Sequence, residues 1–158
     1  MGRCTWSDRE LIEDCKSISV FSLNQSGVFS GHVVATVGWR RRWGVPAQSM
    51  GVQAIATSDP DCAGCVRISY KLSYRLSGKS ELVEYNVELE ATPCNFGGIR
   101  YWFVCPLLRD GAACKERVGK LYLPPHAKYF GCRRCYNLTY RSQKERRSKL
   151  IWRALEYM

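Results

Sequence analysis

The sequence predicts a β-rich α+β protein, and three of its features carry that prediction. Over residues 66–76 and 83–91, apolar and polar side chains alternate with the period of strands that bury one face. Four cysteines, separated by short β-like segments, lie beyond residue 99. Residues near both ends, 5–18 and 142–158, have the composition of short helices. We therefore expect a short N-terminal helix and an antiparallel β-meander, followed by a cysteine-bearing unit and a basic C-terminal helix.

The N-terminal helix is predicted from its first turn. Ser7 stands as the N-cap residue and Glu10 follows three positions later, which together make a capping box. The apolar residues after them recur at helical spacing and would share one face: Leu11, Ile12, Cys15 and Ile18. On that face Cys15 serves as a small buried hydrophobic side chain.

The meander centres on a hairpin between residues 66–76 and 83–91. Gly78 can adopt the positive φ of a two-residue type II′ turn between Ser77 and Ser80. Such a turn sets the register of the two strands. The expected pairs are Leu72 with Tyr85, Tyr70 with Val87, Ile68 with Leu89, and Arg67 with Glu90. Two further strands are predicted over residues 32–39 and 50–57.

The segment from Thr92 to Gly98 interrupts the strand pattern and marks the end of the scaffold. Beyond it, short strands are predicted over residues 100–104, 120–123, 128–130 and 138–141. The chain therefore divides into three parts: a helix and antiparallel β scaffold over 1–93, a cysteine-bearing unit over 94–141, and a basic helix over 142–158.

The four cysteines of the second part follow the spacing Cys105-x8-Cys114-x17-Cys132-x2-Cys135. Two cysteine pairs on turns, separated by a strand-bearing segment, are the arrangement of a zinc ribbon, in which four thiolates surround one Zn²⁺. Gly131 suits the tight second turn, whereas the eight residues of the first pair require a longer loop. A unit of roughly 40 residues buries too little apolar surface to fold unaided, and a bound Zn²⁺ would supply the missing folding energy.

Other interpretations of these cysteines are weaker. A redox Cys-x-x-Cys pair would need a βαβ setting that the sequence lacks, and four buried thiols without a ligand role would be an odd coincidence at this spacing. A filled tetrahedron leaves no open position for water. The metal is therefore predicted to be structural, and the protein is predicted not to be an enzyme.

A second Cys-x-x-Cys pair, Cys62 and Cys65, precedes the hairpin. Together with Cys4, Cys15 or Cys94 it could complete a second metal site. No other close pair of cysteines stands in this part of the sequence, so ordinary turn cysteines are the favoured interpretation. The sequence leaves both interpretations of this pair, a second metal site and ordinary turn cysteines, as alternatives.

The net charge is concentrated in the last third of the chain. Residues 1–99 carry 10 Lys/Arg and 10 Asp/Glu, whereas residues 100–158 carry 14 Lys/Arg and 4 Asp/Glu, so the whole excess of +10 lies beyond residue 99. Such segregation points to a polyanionic partner. A merely solvated basic face is the alternative, but it would not need segregated charge. We expect salt-dependent binding of nucleic acid, with DNA favoured over RNA and a regulatory role.

The candidate nucleic-acid contacts are basic residues around the cysteines and on the terminal helix. They are Lys120, Lys128, Arg133, Arg134, Arg141, Lys144, Arg146, Arg147, Lys149 and Arg153. Arg133 and Arg134 occupy the tip of the second cysteine turn, where side chains must point outward. Interleaved aromatic residues could stack on unpaired bases, but alternation puts at least half of them inside, so charge is favoured over stacking.

Three stretches carry a resemblance to known proteins: GGIRYWFVCP from residue 97, RVGKLYLPP from residue 117, and YFGCRRCYNLTYRSQKE from residue 129. They resemble a group of small bacterial, phage and mobile-element zinc-ribbon proteins with a GGxRxWFxCP…LYL…FxCRxCxxLxYxSQ block. The likeness includes residues 13–15 and is strongest over residues 92–145. It implies a zinc-ribbon role for the four cysteines and says little about function. Commoner members have a compact CPxC first turn, from which the spacing up to Cys114 departs.

The sequence also indicates a location and an alternative partner. It has no apolar run long enough to span a bilayer and no secretory pattern at its N-terminus, so a reducing cytoplasmic location without membrane contact is expected. The alternative function is a protein-interaction module, since zinc ribbons also dock on proteins such as RNA polymerase or phage and defence machinery. An apolar stripe on the terminal helix could dock or dimerise: Leu150, Ile151, Ala154, Leu155 and Met158.

Overall fold

The computed structural model of the chain describes residues 9–30, 34–38, 49–55, 64–73 and 80–144, and it consists mainly of short antiparallel strands. In chain order the elements are a 3-10 turn (Ile12–Asp14), β1 (Lys16–Ser19), α1 (Val20–Gln25), a second 3-10 turn (Val28–Ser30), β2 (Val34–Gly38), β3 (Ser49–Ile55), β4 (Cys65–Ser73), β5 (Ser80–Pro93), β6 (Ile99–Val104), β7 (Leu108–Arg109), β8 (Ala112–Ala113), β9 (Arg117–Val118) and β10 (Lys120–Leu123).

Six strands form the principal sheet, in the order β2-β3-β4-β5-β6-β9, and every neighbouring pair is antiparallel. The long strand β5 joins its two halves, because residues 80–88 pair with β4 and residues 89–93 pair with β6. Two smaller sheets are formed by β1 with β10 and by β7 with β8. The predicted β-rich architecture, including strands at 34–38, 49–55, 99–104 and 120–123, is confirmed.

The hydrophobic core lies on one face of the principal sheet. Val66, Ile68, Val87 and Leu89 are buried, while Arg67 and Glu88, which alternate with them, are exposed, as the two-residue period of strands requires. Residues from both ends of the described chain complete the same cluster: Ile18, Val20, Leu23, Val28, Phe103, Leu121, Leu123 and Phe130. The segment that carries the four cysteines therefore rests directly on the core of the sheet.

The β4–β5 hairpin is confirmed, but its predicted register is wrong. Val66 lies opposite Val87, Ile68 opposite Tyr85, and Tyr70 opposite Val83. The strands are joined through residues 74–79, which lie outside the described residues together with the predicted turn at Gly78. A register shift by an even number of residues leaves the same side chains facing inward, so alternation alone cannot distinguish the two pairings.

The ion pairs on the outer face follow the observed register. Arg67 contacts Glu84, with 3.4 Å between Nε and Oε1, and not Glu90 as expected. Glu90 instead accepts a hydrogen bond of 2.7 Å from Nη1 of Arg117 on β9. Both pairs are half exposed and contribute little stability each.

The helix predicted over residues 5–18 is wrong for the residues that the structure describes. Residues 12–14 form a 3-10 turn, residues 16–19 form β1, and the first α-helix comes later, at Val20–Gln25. Residues 16–19 are extended because β10 pairs with them, Ser17 opposite Tyr122 and Ile18 opposite Leu121. A tertiary partner here overrides the local helical signal. The proposed cap, Ser7, lies outside the described residues.

Of the short strands predicted near the cysteines, the one over residues 128–130 is not formed, and the one over residues 138–141 is reduced to a single bridge at Thr139. Gly131 pairs with Tyr122 in antiparallel fashion, and Thr139 pairs with Leu11 in parallel fashion. Residues 141–144 form a helical turn, and the remainder of the predicted basic helix lies outside the described residues. Within the described part of the chain, no helix has the length and apolar character needed to span a membrane.

Candidate metal centre and basic surface

The first cysteine pair flanks a small β-hairpin. Cys105 follows β6 directly, and β7 and β8 then pair Leu108 with Ala113 and Arg109 with Ala112. Asp110 and Gly111 join these strands with φ values of 53° and 83°. Two consecutive residues at positive φ, with Asp-Gly as the sequence, make a type I′ turn. The eight residues between the cysteines therefore form a β-hairpin, which brings Cys114 back next to Cys105.

Backbone hydrogen bonds hold the two cysteines of this first loop together. The amide of Cys114 donates to the carbonyl of Leu107 at 2.9 Å, and the amide of Cys105 donates to the carbonyl of Glu116 at 2.9 Å. Lys115, which follows Cys114, has a φ of 46° and turns the chain back towards β9. Although eight residues separate Cys105 from Cys114 in the sequence, the two cysteines lie close together in the structure.

The second cysteine pair sits on a compact turn that begins next to β10. Gly131 exchanges two backbone hydrogen bonds with Tyr122, of 2.8 and 2.9 Å, and Cys132 follows it. The turn closes through a hydrogen bond of 3.0 Å from the amide of Leu138 to the carbonyl of Arg133, and Asn137 takes the left-handed conformation at φ 49°. Cys132 is thereby fixed beside the edge of β10.

The four sulfur atoms converge. The Sγ atoms of Cys105, Cys114, Cys132 and Cys135 all lie within 4.8 Å of one another. The Cys105–Cys135 and Cys114–Cys132 sulfurs are each 3.9 Å apart, far beyond disulfide length. Four thiolates at about 2.3 Å from a central Zn²⁺ would form a tetrahedron with edges of about 3.8 Å. The cluster can therefore hold one metal ion, and two of its cysteines are buried.

Hydrogen bonds and burial set the protonation of the thiols. The amide of Cys132 donates to Sγ of Cys105 at 3.3 Å, and the amide of Cys135 donates to Sγ of Cys132 at 3.3 Å. A hydrogen bond from the Cys132 thiol lowers the pKa of Cys105, while the same contact and burial raise the pKa of Cys132. Burial also raises the pKa of Cys135. Four negatively charged sulfurs this close together repel one another, so a divalent ion is what would stabilise four thiolates together.

The two cysteine loops touch each other at Gly131. A Cβ placed on Gly131 would lie 2.1 Å from Cδ1 of Leu107 and 2.9 Å from Cε2 of Tyr136. The glycine is needed here because of this close approach, since the side chain of Leu107 occupies the space that any larger residue would take. Leu107 belongs to the first cysteine loop, so this loop also packs against the second.

Three tyrosines fasten the residues before Cys132 to the sheet. The hydroxyl of Tyr85 accepts a hydrogen bond of 2.8 Å from the amide of Phe130. The Tyr70 hydroxyl donates to the carbonyl of Lys128, and the Tyr136 hydroxyl donates to the carbonyl of Tyr129. Burial raises the pKa of Tyr70 to about 12, so the hydroxyl keeps its proton. Sequence reasoning missed this role, although the alternation had placed Tyr70 and Tyr85 on the inward face.

Three of the predicted basic contacts have acidic neighbours. Lys128 lies 2.6 Å from Oε1 of Glu81, Arg134 lies 3.3 Å from Oε1 of Glu116, and Arg141 lies 4.0 Å from Oδ1 of Asp14. The amide of Arg141 also donates to both carboxylate oxygens of Glu13, at 3.1 and 3.2 Å. The N-terminal segment therefore tethers the start of the terminal helical turn.

The other described cations are more open. Lys120, Arg133 and Lys144 are exposed and form no ion pair with another described residue. The guanidinium carbon of Arg133 lies 5.5 Å from the centroid of the Tyr140 ring. The remaining predicted contacts lie outside the described residues: Arg146, Arg147, Lys149 and Arg153.

The other described cysteines form no metal cluster. Among the residues that the structure describes, the set around Cys105 is the one group of ligands close enough to hold an ion. The Cys15 thiol donates to the carbonyl of Leu11 at 3.3 Å, and burial, with the neighbouring acidic residues, raises its pKa to about 11. Cys94 is exposed and Cys65 is half-buried, while Cys4 and Cys62 lie outside the described residues.

The turn between β5 and β6 presents an exposed aromatic side chain that sequence reasoning did not single out. Phe96 is fully exposed, at 104%, and Ile99 beside it is 59% exposed. The turn is ordered by hydrogen bonds from the amide of Cys94 to the carbonyl of Gly98 and from the amide of Gly97 to the carbonyl of Cys94. Gly97 and Gly98 both have positive φ, which explains the two glycines in this turn.

Comparison of the chain with models of protein families, with curated proteins and with solved structures gives no match.

Proposed function

We propose that this chain is a zinc-ribbon protein that binds nucleic acid, with one structural Zn²⁺ held by Cys105, Cys114, Cys132 and Cys135. The close approach of the four sulfurs, all within 4.8 Å of one another, is the observation that supports the metal. An all-thiolate set favours Zn²⁺ over the hard cations, which prefer oxygen ligands. Four protein ligands leave no coordination position for a substrate or water, as expected of a structural ion.

The ion would act by joining two loops that carry positive charge. Arg109 and Lys115 belong to the first loop, and Arg133 and Arg134 to the second. A bound Zn²⁺ would hold the two loops in a fixed position and so lower the entropic cost of presenting their basic side chains to a phosphate backbone. The location of the entire +10 excess beyond residue 99 supports a polyanionic partner.

The ion pairs divide the cations into two groups for this role. Lys120, Arg133 and Lys144 could contact phosphates without first losing an acidic partner, whereas Arg134 and Lys128 would have to exchange one. Direct phosphate contacts from the first group would make binding salt-dependent. DNA as the favoured partner and a regulatory or mobile-element role remain part of the proposal, and they rest on the resemblance and the charge.

Two measurements test this function. Elemental analysis of the purified chain should find about one Zn²⁺ per molecule. Titration of a labelled duplex and a labelled single strand at two salt concentrations should show binding that weakens as salt rises. A chain without stoichiometric metal would contradict the metal centre. A metal-loaded chain that binds neither probe at low salt would contradict the nucleic-acid function.

The exposed turn at Phe96 supports a second candidate, a protein-interaction module. A fully exposed Phe on an ordered turn, next to the largely exposed Ile99, is typical of residues that become buried against a partner. A pull-down that survives nuclease and high salt, and that Phe96→Ser weakens, would favour this candidate. Capture that nuclease abolishes would favour the nucleic-acid function.

A further inference from the structure

We infer that the nucleic acid bound by this surface is single-stranded, with an unpaired base stacked on Tyr140 beside the guanidinium of Arg133. The inference rests on the proposed nucleic-acid function and specifies its ligand. It differs from the sequence-based expectation, which favoured phosphate contacts over stacking.

The position of Tyr140 between two tethered residues is the first observation. The amide of Thr139 donates to the carbonyl of Glu10 at 3.0 Å, and the amide of Arg141 donates to the carboxylate of Glu13 at 3.1 Å. The carbonyl of Tyr140 itself accepts from the amide of Lys144 at 3.3 Å. Because its neighbours on both sides are fixed, the ring is presented from a rigid backbone, which lowers the entropic cost of binding.

The exposure of Tyr140 beside Arg133 is the second observation. Tyr140 is 39% exposed, and the Arg133 guanidinium lies 5.5 Å from its ring centroid, within cation–π range. Arg133 stands between Cys132 and Cys135, so its backbone is set by the cysteine cluster. An aromatic ring and a guanidinium plane are the two groups on which unpaired bases stack in single-strand recognition.

The charge around the ring fits the backbone of such a strand. Arg133 and Lys144 form no ion pair with another described residue, and Lys144 lies one helical turn beyond Tyr140. The nearby acidic residues Glu13 and Asp14 engage Arg141 instead. A strand with a base on Tyr140 could therefore place its flanking phosphates near Arg133 and near Lys144, one helical turn away.

A duplex could not make the same contacts with this surface. Its base faces are stacked inside the helix, so a protein ring reaches them only after unpairing, at a cost of a few kcal/mol. A duplex could use Arg133 and Lys144 but not the ring of Tyr140. The geometry therefore favours a single strand of either DNA or RNA.

The test is fluorescence anisotropy with the zinc-loaded full chain, using a short mixed-sequence single strand, as DNA and as RNA, and the matched duplex. We expect tighter binding of a single strand than of the duplex. Tyr140→Leu should weaken single-strand binding about 10-fold, and Tyr140→Phe, which keeps the ring, should retain it. Lys144→Ala should weaken both forms alike, since it removes a phosphate contact. Phe96→Leu, a matched change at another exposed aromatic residue, should alter neither.

A second measurement applies even if Tyr140→Leu does not fold. Photocrosslinking of a bromouracil-containing single strand to the wild-type chain should label Tyr140, identified by mass spectrometry. Tighter binding of the duplex, equal single-strand affinity of a folded Tyr140→Leu variant, or crosslinks confined to other residues would overturn the inference while leaving nucleic-acid binding intact. Failure of the wild-type chain to bind any of the probes would instead contradict the proposed function itself.

Discussion

Leu107 of the first cysteine loop occupies the space beside Gly131 of the second, where an added Cβ would lie 2.1 Å from its Cδ1 atom. The two cysteine loops are therefore held together by this packing contact as well as by the convergence of their sulfur atoms. Gly131 directly precedes Cys132, so a displacement at the glycine would be transmitted to a sulfur of the cluster.

Gly131→Ala is therefore expected to lower the free energy of unfolding by about 1–3 kcal/mol, the usual cost of overpacking a tight contact. Denaturant titration of the zinc-loaded chain measures the change. Leu107→Ala removes one of the two side chains that would clash, so the double variant should recover part of the loss, and the double-mutant cycle should show coupling between the two positions. Additive effects would contradict the contact.

Substitution of Cys132 by Ser is expected to abolish stoichiometric metal binding and to destabilise residues 100–144. One ligand of four is lost, and folding free energy of roughly 10 kcal/mol or more can depend on a structural Zn²⁺. Elemental analysis and amide hydrogen exchange measure the two effects, and a chelator should reproduce the second. Cys94→Ser is the control, because Cys94 is exposed and lies outside the cluster. Metal retention by Cys132→Ser would argue against the four-sulfur site.

Gly111→Ala is expected to destabilise the chain by about 1–2 kcal/mol, because Gly111 holds a φ of 83° that a residue with a Cβ rarely adopts. The type I′ turn would loosen and Cys114 would be less firmly positioned, so metal affinity should fall as well. Thermal unfolding and competition with a metal indicator measure the two effects. Gly119→Ala is the matched control, since the nearest atom to its added Cβ is 3.9 Å away and its φ is not positive. Equal effects of both substitutions would refute this explanation.

Tyr85→Phe is expected to cost about 1–3 kcal/mol, because the amide of Phe130 would lose its acceptor in a half-buried place. Residues 128–130 lead into the second cysteine loop, so weaker metal retention should accompany the loss of stability. Denaturant titration with and without chelator separates the two contributions. Tyr101→Phe is the control, since the Tyr101 hydroxyl forms no hydrogen bond with another described residue while its ring packs against Phe29 at 4.7 Å between centroids. A neutral Tyr85→Phe would show that water or another group replaces the hydroxyl.

Cys15 is expected to alkylate slowly at pH 8. Its pKa is raised to about 11, so the proton is retained through neutral and mildly alkaline pH and only about one thiol in a thousand is ionised at pH 8. Reactivity should increase as the pH approaches the raised value. Time-resolved iodoacetamide labelling with peptide mapping measures the rates, with the exposed Cys94 as the internal reference. Equal labelling of both at pH 8 would contradict the burial of Cys15.

The strands of the scaffold could be predicted from alternation, but the pairing of β4 with β5 could not. The inward residues are the same in the expected and observed registers, because the two differ by an even shift. A two-residue turn at Gly78 predicts pairs that differ from the observed ones by four residues. Only knowledge of the loop length between Ser73 and Ser80 would have corrected it.

The cluster could be predicted from the cysteine spacing, and the sequence of the first loop also carries a hairpin signal. Asp110-Gly111 is the strongest short hairpin signal in this segment, and it explains how eight residues can separate two cysteines that meet in space. By contrast, β1 could not have been found locally. Residues 16–19 are extended because they pair with β10, and no pattern within the first 20 residues predicts that pairing.

The pairing of β1 with β10 has a consequence for how the chain is made. Ser17 meets Tyr122, and Ile18 meets Leu121, so a ribosome must synthesise most of the protein before the first strand finds its neighbour. Until then the apolar side chains of Ile18 and Leu23 lack the surface that later covers them. Contacts between residues so distant in the sequence predict slow closure of the native topology.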